Sequence, residues 1–229
     1  MTLLQGMAPG RILPEFRLGV DSLDRSFPNQ SFPLAAVHDF ISHTPEEQSA
    51  TSAFVSCITG KLMRRGGVCA WISAMRHIFP AALSSFGIRP DKVIFIDVKK
   101  PQDALWVMEE ALKCKQFCAV VGDIRKLDLT ASRRLQLAVE HSRVTGFLLR
   151  HQPEGASPLA TVSRWHVTPL ASETEDGLPG VGFPRWRVEL SKIRNGKPGS
   201  WEIEWSYEMM DLQEISRRSA VIHQLLQAG

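Results

Sequence analysis

Between residues 34 and 150 the chain alternates short, continuous apolar runs with longer stretches in which apolar residues recur every three or four positions. The runs lie at 68–72, 93–96, 117–121 and 146–149, and 34–40 reads as a further strand although His38 and Asp39 interrupt it. Turn residues bound them, and none alternates with polar residues, which suits strands buried on both faces of a parallel sheet. The first intervening stretch opens on Thr44, Pro45 and Glu47. Thr44 and Glu47 fit a capping box, and proline suits the first helical turn. Ala50, Phe54, Ile58 and Leu62 then follow at four-residue spacing, and Arg64-Arg65-Gly66-Gly67 closes the segment with cations and then glycine. A short helix is expected at 81–86 and longer ones at 101–115 and 129–143, the last exposing Arg133, Arg134 and Arg143. Strands alternating with helices imply crossover connections and a mostly parallel sheet.

The pattern changes after residue 150. Residues 185–194 and 200–208 alternate polar and apolar around Asn195-Gly196-Lys197-Pro198-Gly199, which predicts a β-hairpin. Residues 173–183 are rich in glycine and proline and read as a loop. Residues 211–226 read as an amphipathic helix with Leu212, Ile215, Val221, Ile222 and Leu225 as its apolar positions. Such a helix either packs back on the sheet or offers its stripe to a partner groove. At the other end, residues 1–17 read as an arm, 19–24 as a short helix capped by Asp21, and 28–33 as a turn. The expected division is an arm over 1–17, a core over 18–208 and a helical tail over 209–229.

A chain of 229 residues with 44% apolar and 22% charged residues is one ordinary globular domain with appendages. Its longest apolar stretches run to about five residues, against the roughly 20 that span a bilayer, so no membrane association is expected. The first residues lack a basic flank and a sustained apolar core, so no signal peptide is expected. Cys57, Cys69, Cys114 and Cys118 show no zinc-ligand spacing, and three of them fall in apolar runs. That usage indicates a reducing, cytoplasmic setting without disulfides. A net charge of +3 permits nucleic-acid contact without arguing for it.

In an open α/β sheet the ligand site lies beyond the carboxyl ends of the strands. A phosphate loop there needs glycines, a lysine and a hydroxyl. The first strand-to-helix connection, residues 41–51, has no glycine and no lysine, and it carries Glu46 and Glu47. Like charges at 4 Å cost on the order of 1–4 kcal/mol per pair, so these glutamates repel a triphosphate. His38, His43 and His77 have no spacing that suggests a metal or catalytic set, and Ser42-His43 lacks the flanking glycines of a nucleophile elbow. Trp165, Trp186, Trp201 and Trp205 either stack nucleotides beside nearby arginines or pack as cross-strand pairs, the commoner use. Arg133 and Arg134 read as a solvated helix face.

Residues 18–24 (LGVDSLD), 32–40 (FPLAAVHDF), 64–72 (RRGGVCAWI) and 186–201 (WRVELSKIRNGKPGSW), in this order and spacing, together resemble the ImuA family, RecA relatives of bacterial damage-inducible mutagenesis. The resemblance spans residues 12–208. It implies an α/β fold of RecA-like (P-loop NTPase) type, with a mostly parallel sheet flanked by helices, here extended by the hairpin and a terminal helix. Thr51 then stands at the phosphate-loop lysine position and Ser52 at the hydroxyl position. Met75 and Gly122 stand where two carboxylates are expected, with Asp123 adjacent to the second. Threonine cannot neutralise phosphate charge, and methionine cannot accept a proton. The resemblance therefore implies a scaffold without ATP hydrolysis, without cofactor or metal, and without a catalytic site.

Lys192 and Arg194 match basic positions that reach a neighbouring subunit in RecA filaments. They are either same-face residues of a solvated strand or a basic interface for a partner protein or DNA phosphate. The family implies a role in the SOS response and translesion synthesis. Its implied partners are an ImuB-type Y-family polymerase, an error-prone replicative polymerase and RecA itself, with DNA engaged directly or indirectly. Two other readings stay open: an ATP-binding RecA-like protein with a rearranged phosphate loop, and a SulA-like cell-division inhibitor.

Overall fold

The structure, a computed structural model, describes residues 15–75, 78–153, 158–172 and 182–215. Its elements in chain order are α1 (Asp21–Asp24), β1 (Val37–Ser42), α2 (Pro45–Met63), β2 (Val68–Ser73), β3 (Val93–Asp97), α3 (Asp103–Lys113), β4 (Phe117–Asp123), α4 (Leu129–Ser142), β5 (Thr145–His151), β6 (Ser163–Leu170), β7 (Arg185–Ile193), β8 (Gly199–Ser206) and β9 (Asp211–Glu214). A 3-10 turn at Pro80–Phe86 takes the place of the expected short helix. The strands form one sheet in the order β3-β2-β4-β5-β1-β6-β7-β8-β9. Neighbours run parallel from β3 to β6 and antiparallel from β6 to β9.

Helix α2 covers one face of the sheet, and α3 and α4 cover the other. Its start follows the capping logic of the sequence. Thr44 Oγ1 accepts from the Glu47 N–H at 3.2 Å, and Pro45 is the first helical residue. Its middle does not behave as a surface helix, because every residue from Phe54 to Gly60 is buried. The antiparallel strands curl over it. Phe54 meets the rings of Phe40, Trp165 and Trp186. Trp205 of β8 donates from Nε1 to the Ser85 carbonyl at 2.8 Å, carrying the sheet round to the 3-10 turn. Gly60 is needed at the tightest point, since a Cβ there would lie 2.1 Å from the Phe86 carbonyl oxygen.

Three expectations need correction. Residues Asp211–Glu214 are not the start of a helix but form β9, with Leu212 opposite Trp205. Leu212 is buried between half-exposed polar neighbours, which is a strand's period of two. The Asp211 carboxylate is tied to Lys61 of α2, which fixes the strand in place. The remainder of that expected helix, 216–226, lies outside the described residues, as do the rest of the tail, 1–14 and most of the 173–183 loop. Second, Asp21 does not cap α1; Asp24 reaches back to accept from the N–H groups of Leu18 at 2.8 Å and Gly19 at 3.1 Å. Third, β6 has no counterpart in the sequence reading, although it joins the parallel and antiparallel halves. Phe16, assigned to the arm, is buried against Phe32.

A buried ion cluster anchors this junction. Asp39 of β1 is fully buried and accepts from Arg150 of β5 at 2.6 and 3.0 Å and from Arg164 of β6 at 2.8 Å. Removing one partner of such a cluster strands the others without compensation. Asp39→Ala is expected to lower unfolding free energy by about 3–5 kcal/mol, read as a drop in the urea midpoint at unchanged slope.

Candidate functional site

The carboxyl ends of β1, β4 and β5 converge beside the start of α2. Ser42 closes β1, Asp123 closes β4 and His151 closes β5. The Ser42 hydroxyl lies 2.6 Å from His151 Nδ1, and His151 Nε2 lies 3.6 Å from Asp123 Oδ1. A hydroxyl, an imidazole and a carboxylate in series suggest nucleophilic catalysis. The serine, however, is only 1% exposed, so its oxygen cannot reach a substrate carbonyl. The chain of contacts ties three strand ends together instead.

The start of α2 is closed by the protein's own groups. Glu47 folds back to accept from the His43 N–H at 2.6 Å, and its carboxylate lies 3.0 Å from His166 Nε2. His43 meets His166 edge to face at 5.5 Å. Burial pushes the Glu47 carboxyl up, but the His43 N–H and the two imidazoles outweigh it and hold the group below the usual range. Glu46, fully solvated, is likewise held low by a backbone N–H and the Thr44 hydroxyl. Two anions thus occupy the helix end where an anionic ligand would gain most. The space between Gln48, Ser52, Met75, Ile78, Asp123 and His151 is about 20 Å³, room for one water molecule, and Gln48, Met75, Asp123 and His151 also border the larger cleft described below.

Thr51 is 1% exposed with its hydroxyl unpaired, so a lysine there would begin its reach from inside the core. Ser52 is half-buried and lines the small cleft, and Met75, 61% exposed, lies over it. Gly122 faces away: a Cβ there would lie 2.6 Å from Met108 Sδ on α3. Asp123 is the β4 residue that reaches the cleft, so an acid is present at the strand end one residue beyond Gly122. Beyond it opens a wider cleft of about 1070 Å³, whose rim carries Lys99, Arg125 and Lys126 on the loops after β3 and β4. Lys192 and Arg194 flank buried Ile193, both exposed; Lys192 Nζ donates to the Leu159 carbonyl at 3.1 Å. The site and this basic pair come from separate parts of the fold.

The other candidates resolve as packing. Trp165 stacks on Phe40 at 5.7 Å, and Trp186 and Trp205 are buried, so none of the three offers a face to a nucleotide; Trp201 is half-buried. Arg133 is exposed, and Arg134 pairs with Glu109. His77 lies outside the described residues. No group of metal-binding side chains occurs among the described residues, and none of their helices is long and apolar enough to cross a membrane. Cys57, Cys69, Cys114 and Cys118 are free thiols. His151 and His166, which shape the site, were not singled out from the sequence. Each is a lone histidine at the end of, or within, a strand, with no motif to mark it.

A crystal structure of the RadB recombinase matches this fold with a TM-score of 0.59, covering 87% of this chain and 99% of its own at 13% sequence identity. The architecture is therefore a RecA-like fold. No protein-family model matches the sequence. Protein ImuA of Caulobacter vibrioides, in two strains, is 32% identical over 203 residues, covering 83% of each chain. The chain belongs to the ImuA family.

His38 yields a pH prediction. It is fully buried between Phe32 and Phe147, with Nδ1 2.6 Å from Ser163 Oγ and Nε2 2.8 Å from the Pro33 carbonyl. Burial lowers its pKa from 6.5 to about 4, against the opposing pull of the Pro33 carbonyl. The unfolded chain binds this proton first, so His38 contributes stability in full above pH 6.5 and loses it as pH falls towards 4. The expected loss is a few kcal/mol. An NMR titration of the His38 ring should give a midpoint near 4, and urea unfolding should track the same window.

Proposed function

We propose that this protein is a non-catalytic accessory factor in damage-induced mutagenesis, acting by binding an ImuB-type Y-family polymerase. Family membership supports the mutagenesis role. The observation that carries the non-catalytic part is the closed start of α2: Glu46, Glu47 and the buried Thr51 stand where a triphosphate would need glycines and a lysine. The polymerase brings DNA and the error-prone replicative enzyme into the assembly, and RecA is a further partner on the same reasoning. The accessory role needs a surface rather than a reaction, and the exposed Lys192 and Arg194 offer a basic one. On this reading the core, which includes Phe16 and β9, carries the docking surface.

One observation favours a second reading, in which nucleotide is still bound. Asp123 reaches the cleft, and cations stand on the rim beside it. Equilibrium titration with ATP and magnesium separates the two. No binding is expected up to about 1 mM. Micromolar affinity lost in Asp123→Ala would favour the second reading. Overexpression without cell filamentation would set aside a SulA-like inhibitor.

The docking reading is tested by co-purification with the Y-family polymerase, for which a complex at micromolar protein is expected. The double change Lys192→Glu and Arg194→Glu should weaken that complex by about tenfold or more, with the urea midpoint unchanged. An unchanged affinity would remove these two residues from the interface.

A further inference from the structure

At the amino ends of β2 and β3, across the sheet from the Ser42, Asp123 and His151 strand ends, lies a cavity of about 330 Å³. Three cations line it: Arg64 at the end of α2, then Arg89 and Lys92 on the approach to β3. No carboxylate of the described residues lines it. Part of the wall is bare backbone. Gly66 and Gly67 have φ of 105° and 95°, and a Cβ on Gly66 would meet nothing within 4 Å. Glycine suits both the conformation and a close approach of backbone to a ligand.

The guanidinium groups are held in place by the fold. Arg64 donates to the Met210 carbonyl and lies 3.6 Å from where a Cβ on Gly87 would stand. Arg89 donates to Asp91 at 2.7 and 3.2 Å. Each keeps donors free, because a guanidinium has five N–H groups. The Lys92 ammonium has no hydrogen-bond partner among the described residues. The negative end of α2 is closed internally, since the carbonyls of Gly60, Leu62 and Met63 accept from the N–H groups of Arg64, Arg65 and Gly66. Asp91 cancels one of the three charges and leaves two.

We propose that this cavity binds a phosphate monoester carried on a compact organic body, about the size of a mononucleotide. A phosphate monoester carries about 1.5 to 2 negative charges near pH 7, which matches the two cations left over; a diester or a single carboxylate carries one. Arginine forks grip phosphate oxygens in pairs. The volume exceeds a lone phosphate and falls at the lower end of small-molecule sites, roughly 300–1,000 Å³. Met63, half-buried, supplies an apolar wall for the rest of the ligand. The inference goes beyond the polymerase role and involves neither reading of the cleft at the carboxyl ends. ATP with magnesium does not probe this cavity, because the metal bridges and neutralises the outer phosphates.

An amide NMR titration of the full chain with adenosine 5′-monophosphate tests it, with adenosine as control. Saturation below about 1 mM is expected for the monophosphate and none for adenosine. The amides of Gly66, Gly67, Gly87 and Lys92 should move, and those of Ser42, Asp123 and His151 should not. Lys92→Glu should weaken binding by about tenfold or more with the urea midpoint unchanged, and Arg64→Lys, which keeps the charge and loses the fork, by severalfold. Asp123→Ala should leave affinity unchanged. Short oligonucleotides with a phosphate or a hydroxyl at the 5′ end separate the two sources of the group. Tighter binding of the phosphorylated strand than of the mononucleotide assigns the site to a strand end, and binding of the mononucleotide alone assigns it to a free nucleotide. Equal binding of adenosine and its monophosphate would overturn the proposal. So would equal binding of the two oligonucleotides, unmoved glycine amides, or affinity indifferent to Lys92→Glu.

Discussion

Enclosure of α2 is the constraint on which the architecture rests. A helix in a parallel α/β sheet ordinarily keeps one face in water. Here the residues from Phe54 to Gly60 have none, because the sheet continues past β1 and curls back to the 3-10 turn. That enclosure requires glycine at 60, accounts for free thiols as core material and leaves Thr51 sealed. Burial also raises the Cys57 and Cys69 thiols well above their usual range, despite the nearby Lys61 beside Cys57. They are inert packing rather than reactive groups.

The same enclosure explains the state of the site. A phosphate loop works by leaving backbone N–H groups and a lysine free at the start of the first helix. In this chain Thr44 and Glu47 satisfy those groups internally. The histidines complete the closure: His151 joins the ends of β1 and β4, and His166 reaches Glu47 from β6. These contacts make the start of α2 part of the fold's support.

Much of the parallel half was legible in the sequence, because its strands are continuous apolar runs and its helices carry their caps. The closed helix start was legible for the same reason: Thr44, Pro45 and Glu47 are local signals. What the sequence hid is what depends on distant pairing. β6 reads as polar because Arg164 and His166 alternate with buried residues, and its partners are β1 and β7. Ala36–Phe40 shows no sign that Asp39 will meet two arginines more than a hundred residues on. β9 reads as a helix because Leu212 and Ile215 are three apart, a helical spacing, whereas only Leu212 is buried, through its pairing with Trp205 across the sheet. Gly122 and Asp123 differ by one residue, and only the strand's pleat decides which of them faces the cleft.

The place of β1 in the sheet has a consequence for how the chain is made. Its two neighbours, β5 and β6, lie 109 and 125 residues later in sequence at the contacts Ser42–His151 and His38–Ser163. At synthesis rates of about 5–20 residues per second, β1 waits roughly 6–25 s on the ribosome for the second of them. During that interval an apolar strand and an unpaired Asp39 are available to other chains. Pairings this remote are intrinsically slow to close. The nascent protein therefore has its greatest need of chaperone shelter before its hairpin emerges.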